Sequence, residues 1–192
     1  MVFVTFFSIE KVVFNHYLTS MPVAPIPLAN EFVDRYGGGN SIDHLKLQKL
    51  LYFTQGWWLA LNGGQLVSER PQVWRYGPVF RWVYNAFNRY GDRAINAPTS
   101  GNPLAGGQPV RLSPQERAAV GPMIDWIWGE YGARSGVDLS NETHAIGTPW
   151  QRIAAAHRYS VPLGTEIPAR DDWEYFSQLA IQRGWNPAPF AG

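Results

Sequence analysis

The chain of 192 residues contains no cysteine, so disulfide bridges, thiolate nucleophiles and cysteine-based metal sites are excluded. It also has no apolar run of the ~18–20 residues needed to cross a bilayer. The apolar start, residues 1–7, lacks a preceding positive region and is soon followed by Glu10 and Lys11, unlike a secretory signal. These absences predict a cytoplasmic protein with no membrane association.

Charge is scarce as well. Charged residues make up 16% of the chain and the formal net charge is +1, a balance that indicates neither a nucleic-acid-binding protein nor an anionic-membrane-binding one. The four histidines, His16, His44, His144 and His157, show no metal-ligand spacing. We therefore predict no metal and no other cofactor.

Large aromatic side chains are abundant, with nine Trp and ten Phe. Such residues dominate both protein cores and binding hot spots. Apolar residues at helical spacing predict a single compact, mainly α-helical domain over residues 22–183. Residues 1–21 are interpreted as an extension that is either not native, Met21 being an alternative start, or loosely held. Residues 184–192 are interpreted as a tail.

The stretch from Asp43 to Asn62 is apolar on more than one face, which predicts a central helix ended by Gly63-Gly64. Lys46, Gln48 and Lys49 lie on its early turns. The two lysines are i,i+3 neighbours and repel each other slightly, so an acidic neighbour or an acidic partner would relieve them.

A small strand or hairpin is predicted around residues 65–76. The next helix is predicted to begin at Gly77-Pro78, since proline suits the first helical position. Four arginines, Arg75, Arg81, Arg89 and Arg93, alternate with aromatic residues here. This composition is typical of protein hot spots and of single-strand binding surfaces. The low net charge favours a protein partner, and a solvated helix face is the simplest alternative.

The second half of the chain carries three signals of a helix start. Ser113 to Glu116 predicts a helix start, and Pro122 predicts a kink or break in the helix that follows. Thr148 to Gln151 predicts another start. Asp171-Asp172 is explained by the start of the last helix, where acidic side chains favour the helix dipole. His144 lies in an apparent polar loop, where a histidine either acts as a general base or holds backbone groups.

Several of these segments together resemble the Panacea domain, the family of SocA-like antitoxins and phage-associated proteins. The resemblance covers roughly Leu28 to Phe176. The segments that carry it are Leu45 to Phe53 with Gln55-Gly56-Trp57, the turn from Trp74 to Val79, and Leu139-Ser140, Thr143-His144 and Pro149-Trp150.

The resemblance implies a non-enzymatic antitoxin that binds and neutralises a cognate protein toxin, encoded in an adjacent gene. Some members of the family resemble adaptors that hand a toxin to a cytosolic protease such as ClpXP. The candidates for partner contact are Lys46, Gln48, Lys49, Tyr52, Trp74, Arg75, Tyr76, Arg81, His144 and Trp150. Two other functions stay open: a small enzyme using His144 with a nearby acid, and a nucleic-acid-binding regulator using residues 75–93.

Overall fold

The computed structural model describes residues 22–101 and 107–191. Within these ranges the chain forms seven α-helices and one small antiparallel hairpin, which confirms the predicted mainly α-helical fold. The elements are α1 (Pro25–Tyr36), α2 (His44–Asn62), β1 (Gln72–Trp74), β2 (Gly77–Val79), α3 (Arg81–Phe87), α4 (Pro114–Tyr131), α5 (Gly136–Thr143), α6 (Pro149–Ala156) and α7 (Ala169–Gln182). The predicted extension, residues 1–21, lies outside the described residues.

Helix α2 is the central element, as its all-round apolar sequence predicts. The Asp43 carboxylate caps it by accepting a hydrogen bond from the Lys46 N–H, and Gly63 ends it in the left-handed conformation. All of its residues are buried except Leu45, Leu61 and Asn62. Helices α1, α3, α4, α5 and α7 and strand β2 pack around it. A helix buried on every side explains why the sequence shows no polar face.

Helix α7 packs closely on α2 at Gly56. A Cβ added to Gly56 would lie only 2.0 Å from Phe176 of α7, so no larger residue fits without moving that ring. The Phe176 ring also makes edge contacts with Tyr52 and Trp57, at centroid distances of 5.8 and 5.5 Å. Burial of these aromatic rings makes this contact a major part of the core.

The prediction of a helix starting at Gly77-Pro78 is wrong, because these residues form strand β2. Val73 pairs with Pro78, and α3 begins only at Arg81. Gly77 has a φ of +98°, which is incompatible with a helix, and the Pro78 carbonyl accepts a hydrogen bond from the Lys49 ammonium of α2. The predicted hairpin is therefore present but extends to Val79.

Two other local predictions also need correction. Of the kink or break predicted at Pro122, the break does not occur, because helix α4 continues through this residue. Pro122 and Ala118, whose carbonyl loses its helical partner, both lie on the exposed side, where water can hydrate that carbonyl. The apparent polar loop before His144 is helix α5. A capping box between Ser135 and Asp138, overlooked in the sequence, starts this helix.

The capping pattern at α6 is only half formed. Thr148 accepts a hydrogen bond from the Gln151 N–H as predicted, but the Gln151 side chain accepts from Gly147 and not from Thr148. The tail after α7 packs back onto the domain. The Trp185 ring lies 5.5 Å from the Trp57 ring, and the Ala188 N–H donates to the Ala60 carbonyl of α2.

Candidate functional site

The candidate residues of the Trp74–Val79 motif form the hairpin, whose two-residue turn is Arg75-Tyr76. The hairpin lies directly against α2 and α5. A Cβ on Gly77 would lie 2.5 Å from both the Lys49 Nζ and the Thr143 Oγ1, so glycine is required by space as well as by its positive φ. The turn is therefore supported from behind by two helices.

Lys49 and Gln48 of α2 hold the second strand of the hairpin and the residue after it. The fully buried Lys49 ammonium donates to the Pro78 carbonyl at 3.0 Å, and burial lowers the pKa of Lys49 to about 7. The Gln48 amide donates to the Phe80 carbonyl at 3.3 Å and accepts from the Phe80 N–H at 2.8 Å. Both side chains are thus used within the fold and do not reach the surface.

Helices α5 and α6 also bond to the hairpin. The Ser140 hydroxyl donates to the Tyr76 carbonyl at 2.9 Å, and the Trp150 indole N–H donates to the Trp74 carbonyl at 2.8 Å. The His144 ring packs on the Trp150 ring with centroids 3.9 Å apart. Burial, followed by the charge of Lys49, lowers the pKa of His144.

This environment bears on the alternative in which His144 is a catalytic base. The charged group that shifts the pKa of His144 is Lys49, and none of the carboxylates described in the structure is found to do so. His144 is also the residue at the C-terminal end of α5, where its backbone N–H donates to carbonyls of the last turn.

Two further candidates are buried away from the hairpin. The Tyr52 hydroxyl donates to the Asp172 Oδ1 of α7 at 2.7 Å, and burial raises the pKa of Asp172 to about 8 and that of Tyr52 well above its ordinary value. The Lys46 ammonium donates to the Gly132 carbonyl at 2.6 Å and stands over the Trp128 ring. Burial lowers the pKa of Lys46.

The sequence analysis did not identify Asp172 as the partner of the candidate residue Tyr52. The pair Asp171-Asp172 was explained by the helix dipole, which does not distinguish the two carboxylates. Only Asp172 faces the core, at 1% exposure, and its Oδ2 has no hydrogen-bond partner. The helical spacing of Asp172 with Phe176 was the one signal available, because residues four apart share a face.

The exposed candidates lie at the tip of the hairpin and at the start of α3. Tyr76 is 60% exposed with the Arg75 guanidinium over its ring at 5.4 Å, and Arg81 is also exposed. Trp74 is half-buried under the Tyr84 ring, 4.7 Å away between centroids. Three of these residues form the surface that we call the hairpin tip: Trp74, Arg75 and Tyr76.

A cavity lies on each side of the hairpin tip. The α2-side cavity, of about 550 Å³, is bordered by α2, α3 and α5, and its walls include Leu45, Trp74, Tyr76, Tyr84 and Val137. The α6-side cavity, of about 440 Å³, is lined by Val73, Trp74, Arg75, Trp150, Ala154, Tyr159 and Val161. Trp74 and Arg75 border both cavities, so the turn forms a ridge between a mainly apolar depression on the α2 side and one of mixed polarity on the α6 side.

The structure therefore divides the ten candidates by location. Seven of them meet around the hairpin, whereas Tyr52, Lys46 and Arg81 lie against α7, α4 and the start of α3. Within residues 22–101 and 107–191, no three His, Asp or Glu residues converge in a way that could hold a metal ion. No helix in the same ranges has both the length and the apolar composition to span a membrane.

Comparison with known proteins gives two matches. The family described as "Antitoxin SocA-like, Panacea domain" matches residues 47–151, a span that runs from α2 through the hairpin to α6. Antitoxin SocA of Caulobacter vibrioides (strain NA1000 / CB15N) is 32% identical over 126 residues, covering 66% of this chain and 67% of the relative. No solved structure matches the chain.

The matched residues contain most of the central helix, the hairpin, helix α5 and the start of α6, which are the parts of the motif that the structure brings together. The chain therefore belongs to the SocA-like antitoxin family of Panacea domains.

Proposed function

We propose that this chain is a non-enzymatic antitoxin that binds and neutralises a cognate protein toxin through the hairpin tip. The observation that carries the proposal is the position of the turn Arg75-Tyr76. It is exposed between two cavities, while the backbone of the hairpin is held by hydrogen bonds from Ser140, Trp150 and Lys49. A rigid ridge of aromatic and arginine side chains is the composition of protein-binding hot spots.

The other candidates support this surface from within. Lys49, Gln48 and Trp150 bond to the hairpin or to the residue that follows it, so they fix its position. Preorganisation of this kind strengthens binding because little conformational freedom remains to be lost. We therefore assign partner contact to the hairpin tip, and support of the hairpin to these buried groups.

The finer parts of the proposal concern the partner and its fate. We propose that the toxin is encoded in an adjacent gene and that the complex forms in the cytoplasm. Neutralisation follows from binding alone, or from delivery of the bound toxin to a protease such as ClpXP. The half-life of the toxin in cells with and without that protease separates these routes, since only delivery shortens it.

The test is co-expression of the chain with each flanking gene product, followed by pull-down and a growth assay. Tyr76→Ala should weaken toxin binding at least tenfold and reduce the rescue of growth, because it removes the exposed aromatic anchor. The matched control is Ile181→Ala on α7, since Ile181 is 61% exposed and lies outside the surface. Absence of binding to every flanking product, or equal effects of the two variants, would contradict the proposal.

His144→Ala tests the enzyme alternative in the same assay. The antitoxin proposal expects toxin binding and rescue to weaken together, in proportion to any loosening of the Trp150 contact. Loss of rescue while the toxin remains bound with unchanged affinity would instead indicate chemistry at His144.

A further inference from the structure

The walls of the α2-side cavity are mainly aromatic and aliphatic. Trp74, Tyr76 and Tyr84 line it, and the rings of Trp74 and Tyr84 lie 4.7 Å apart between centroids. The aliphatic part of the wall is made by three further residues: Leu45, Val79 and Val137. The faces of electron-rich rings attract cations as well as apolar groups. These walls therefore suit either an apolar side chain or a cation carried on a hydrocarbon stem.

The charged groups of the lining decide between these two occupants. They are the carboxylates Asp43 and Asp92 and the guanidinium of Arg75, so negative charge is in excess. Asp92 is exposed, and within the described part of the chain its side chain forms neither an ion pair nor a hydrogen bond. The cavity thus has an unpaired carboxylate, although the whole chain has a net charge of +1.

Asp43 also retains one oxygen for a ligand. Its Oδ1 accepts the Lys46 N–H at 2.7 Å and so caps α2. Its Oδ2 has no hydrogen-bond partner among the described residues, and the residue is half-buried. A carboxylate that has lost part of its hydration favours a cation as its partner.

Arg75 does not supply that cation. Its guanidinium stands over the Tyr76 ring, 5.4 Å from the ring centroid. It forms no ion pair with any carboxylate that the structure describes. The two carboxylates of the cavity therefore remain without a counter-ion from the chain itself.

His44, in the same wall, does not supply a positive charge either. Its ring lies 4.8 Å from the Tyr84 ring between centroids, and burial lowers the pKa of His44 to about 4. The ring is therefore neutral near pH 7. Its Nε2 has no hydrogen-bond partner within the described residues, whereas most buried polar atoms have one. A neutral imidazole offers an acceptor without a competing charge.

The size of the cavity fits a long side chain. Its volume is about 550 Å³. Lysine and arginine bury their methylene stems along apolar surface while the charged head stays among polar groups. The α2-side cavity offers both environments, since its aromatic and aliphatic walls suit the stem and its carboxylates suit the head. An acidic side chain would instead meet charges of its own sign.

We propose that the α2-side cavity binds an arginine or lysine side chain of the toxin. The stem of this side chain packs on the aromatic and aliphatic walls, and its charged head lies at Asp43 and Asp92. This inference rests on the proposed function and adds the chemistry of the partner to it. Charge complementarity of this kind contributes mainly to the specificity and the rate of association.

The experiment measures the affinity of the full chain for the flanking gene product that co-purifies with it. Asp92→Asn should weaken binding, and it removes a charge that makes no contact in the fold. Asp43→Asn should act in the same direction, because asparagine caps a helix as well as aspartate does. The double variant should bind at least fivefold more weakly at 50 mM salt. The difference should shrink at 500 mM salt, because exposed charges are screened.

Glu116→Gln is the matched control. Glu116 is half-buried like Asp43 and also accepts a backbone N–H at the start of its helix, from Ser113 at 2.7 Å. It lies outside the lining of the α2-side cavity. Glutamine retains the capping box while the charge is lost. This variant should change the affinity less than twofold, and thermal unfolding of all the variants checks that each remains folded.

The outcomes separate this inference from the antitoxin function. Tighter binding by the double variant would indicate an acidic occupant, and a loss below fivefold would indicate an apolar one. Either result overturns the cationic side chain while leaving the antitoxin function standing, as does an equal effect of Glu116→Gln. Failure of every flanking gene product to bind overturns both.

A double-mutant cycle identifies the cation on the partner. Each exposed lysine and arginine of the flanking gene product is replaced by alanine and tested against wild-type chain and against Asp92→Asn. For one of them the two losses should not add, because both substitutions remove the same interaction. Full additivity at every lysine and arginine would overturn the proposal.

A single-stranded oligonucleotide serves as the competing probe, because arginine and aromatic residues also suit nucleic acid. The proposal expects no displacement of the toxin by the oligonucleotide at 150 mM salt, since the carboxylates of the cavity repel phosphates. Displacement would assign the surface to a polyanion and overturn the cationic occupant.

Discussion

At the scale of single residues, polar side chains on buried helices satisfy the backbone of neighbouring loops. Gln55 accepts hydrogen bonds from the Leu66 and Val67 N–H groups, as Gln48 does from Phe80. The Asn30 side chain of α1 donates to the Thr99 and Val110 carbonyls and so holds together two residues of the segment between α3 and α4. An unpaired backbone group inside a protein is costly, so each of these side chains stabilises a segment that has no regular structure.

Asp172 supplies a test at the same scale. Its pKa is about 8 in the folded chain and 3.8 ordinarily, so the folded state binds more protons between these values. The carboxyl contribution to stability is therefore greatest at low pH and is lost as the pH rises from about 4 to about 8. Asp172→Asn keeps an acceptor for the Tyr52 hydroxyl and removes the titration.

The expected result is that the variant gains stability relative to wild type as the pH rises from 5 to 7, by up to about 1.4 kcal/mol per pH unit, the limit for one proton. Urea unfolding at each pH measures the difference. His44 and His144, whose pKa values burial lowers, titrate in both proteins and cancel. A difference that does not change with pH would contradict a neutral Asp172.

At the scale of elements, the end of α6 stands apart from the other helix ends. Arg158 and Tyr159 have φ values of +52° and +60°, which lie in the left-handed backbone region. Among the described residues, they are the two non-glycine residues with a positive φ. A left-handed non-glycine residue costs of order 1–2 kcal/mol. The strained turn places Tyr159, at 66% exposure, on the wall of the α6-side cavity.

Arg158→Gly should therefore stabilise the protein by up to about 1 kcal/mol, since glycine adopts positive φ without a steric penalty. Arg152→Gly within α6 is the control and should destabilise by about 1 kcal/mol, the ordinary cost of glycine in a helix. Thermal unfolding of both variants compares them. If both lower the stability equally, the turn carries no strain.

At the scale of the whole molecule, the tail completes the core instead of leaving it. The Arg183 guanidinium lies over the Trp57, Trp126 and Trp185 rings, at 4.8 to 5.6 Å from their centroids, and pairs with Glu130. This cluster joins α2, α4, the end of α7 and the tail. Three parts of the chain that are distant in sequence, namely α2, α4 and the end of α7 with the tail, are thus held by one set of contacts.

Trp185→Ala should lower the free energy of unfolding by about 2 kcal/mol, less than the 3–5 kcal/mol expected for a fully buried tryptophan because Trp185 is half-buried. Leu163→Ala is the control, since Leu163 is 91% exposed and should change stability by less than about 0.5 kcal/mol. Urea unfolding measures both. Equal small changes would show that the tail adds nothing to the domain.

Much of this arrangement was accessible from local sequence. The central helix follows from apolar residues on every face and from Asp43 and Gly63 at its ends, because periodicity and capping act within a few residues. Local composition predicted a small hairpin before Gly77, and the family resemblance grouped its turn with the segments at Leu139-Ser140, Thr143-His144 and Pro149-Trp150, although helix α5 itself was not predicted. Among the arginines, the sequence identified the four near the hairpin but not Arg158, which adjoins the α6-side cavity only in the fold.

The sequence by itself determined the helical class, the central position of α2 and membership of the antitoxin family, since these depend on local patterns and on motif order. Tertiary structure alone decided that Gly77-Pro78 is a strand, that Asp172 is buried against Tyr52, and that Lys49 supports the hairpin from inside. The physical reason is that burial and long-range hydrogen bonds depend on which distant segments meet. A pattern among neighbouring residues does not specify which distant segments come into contact.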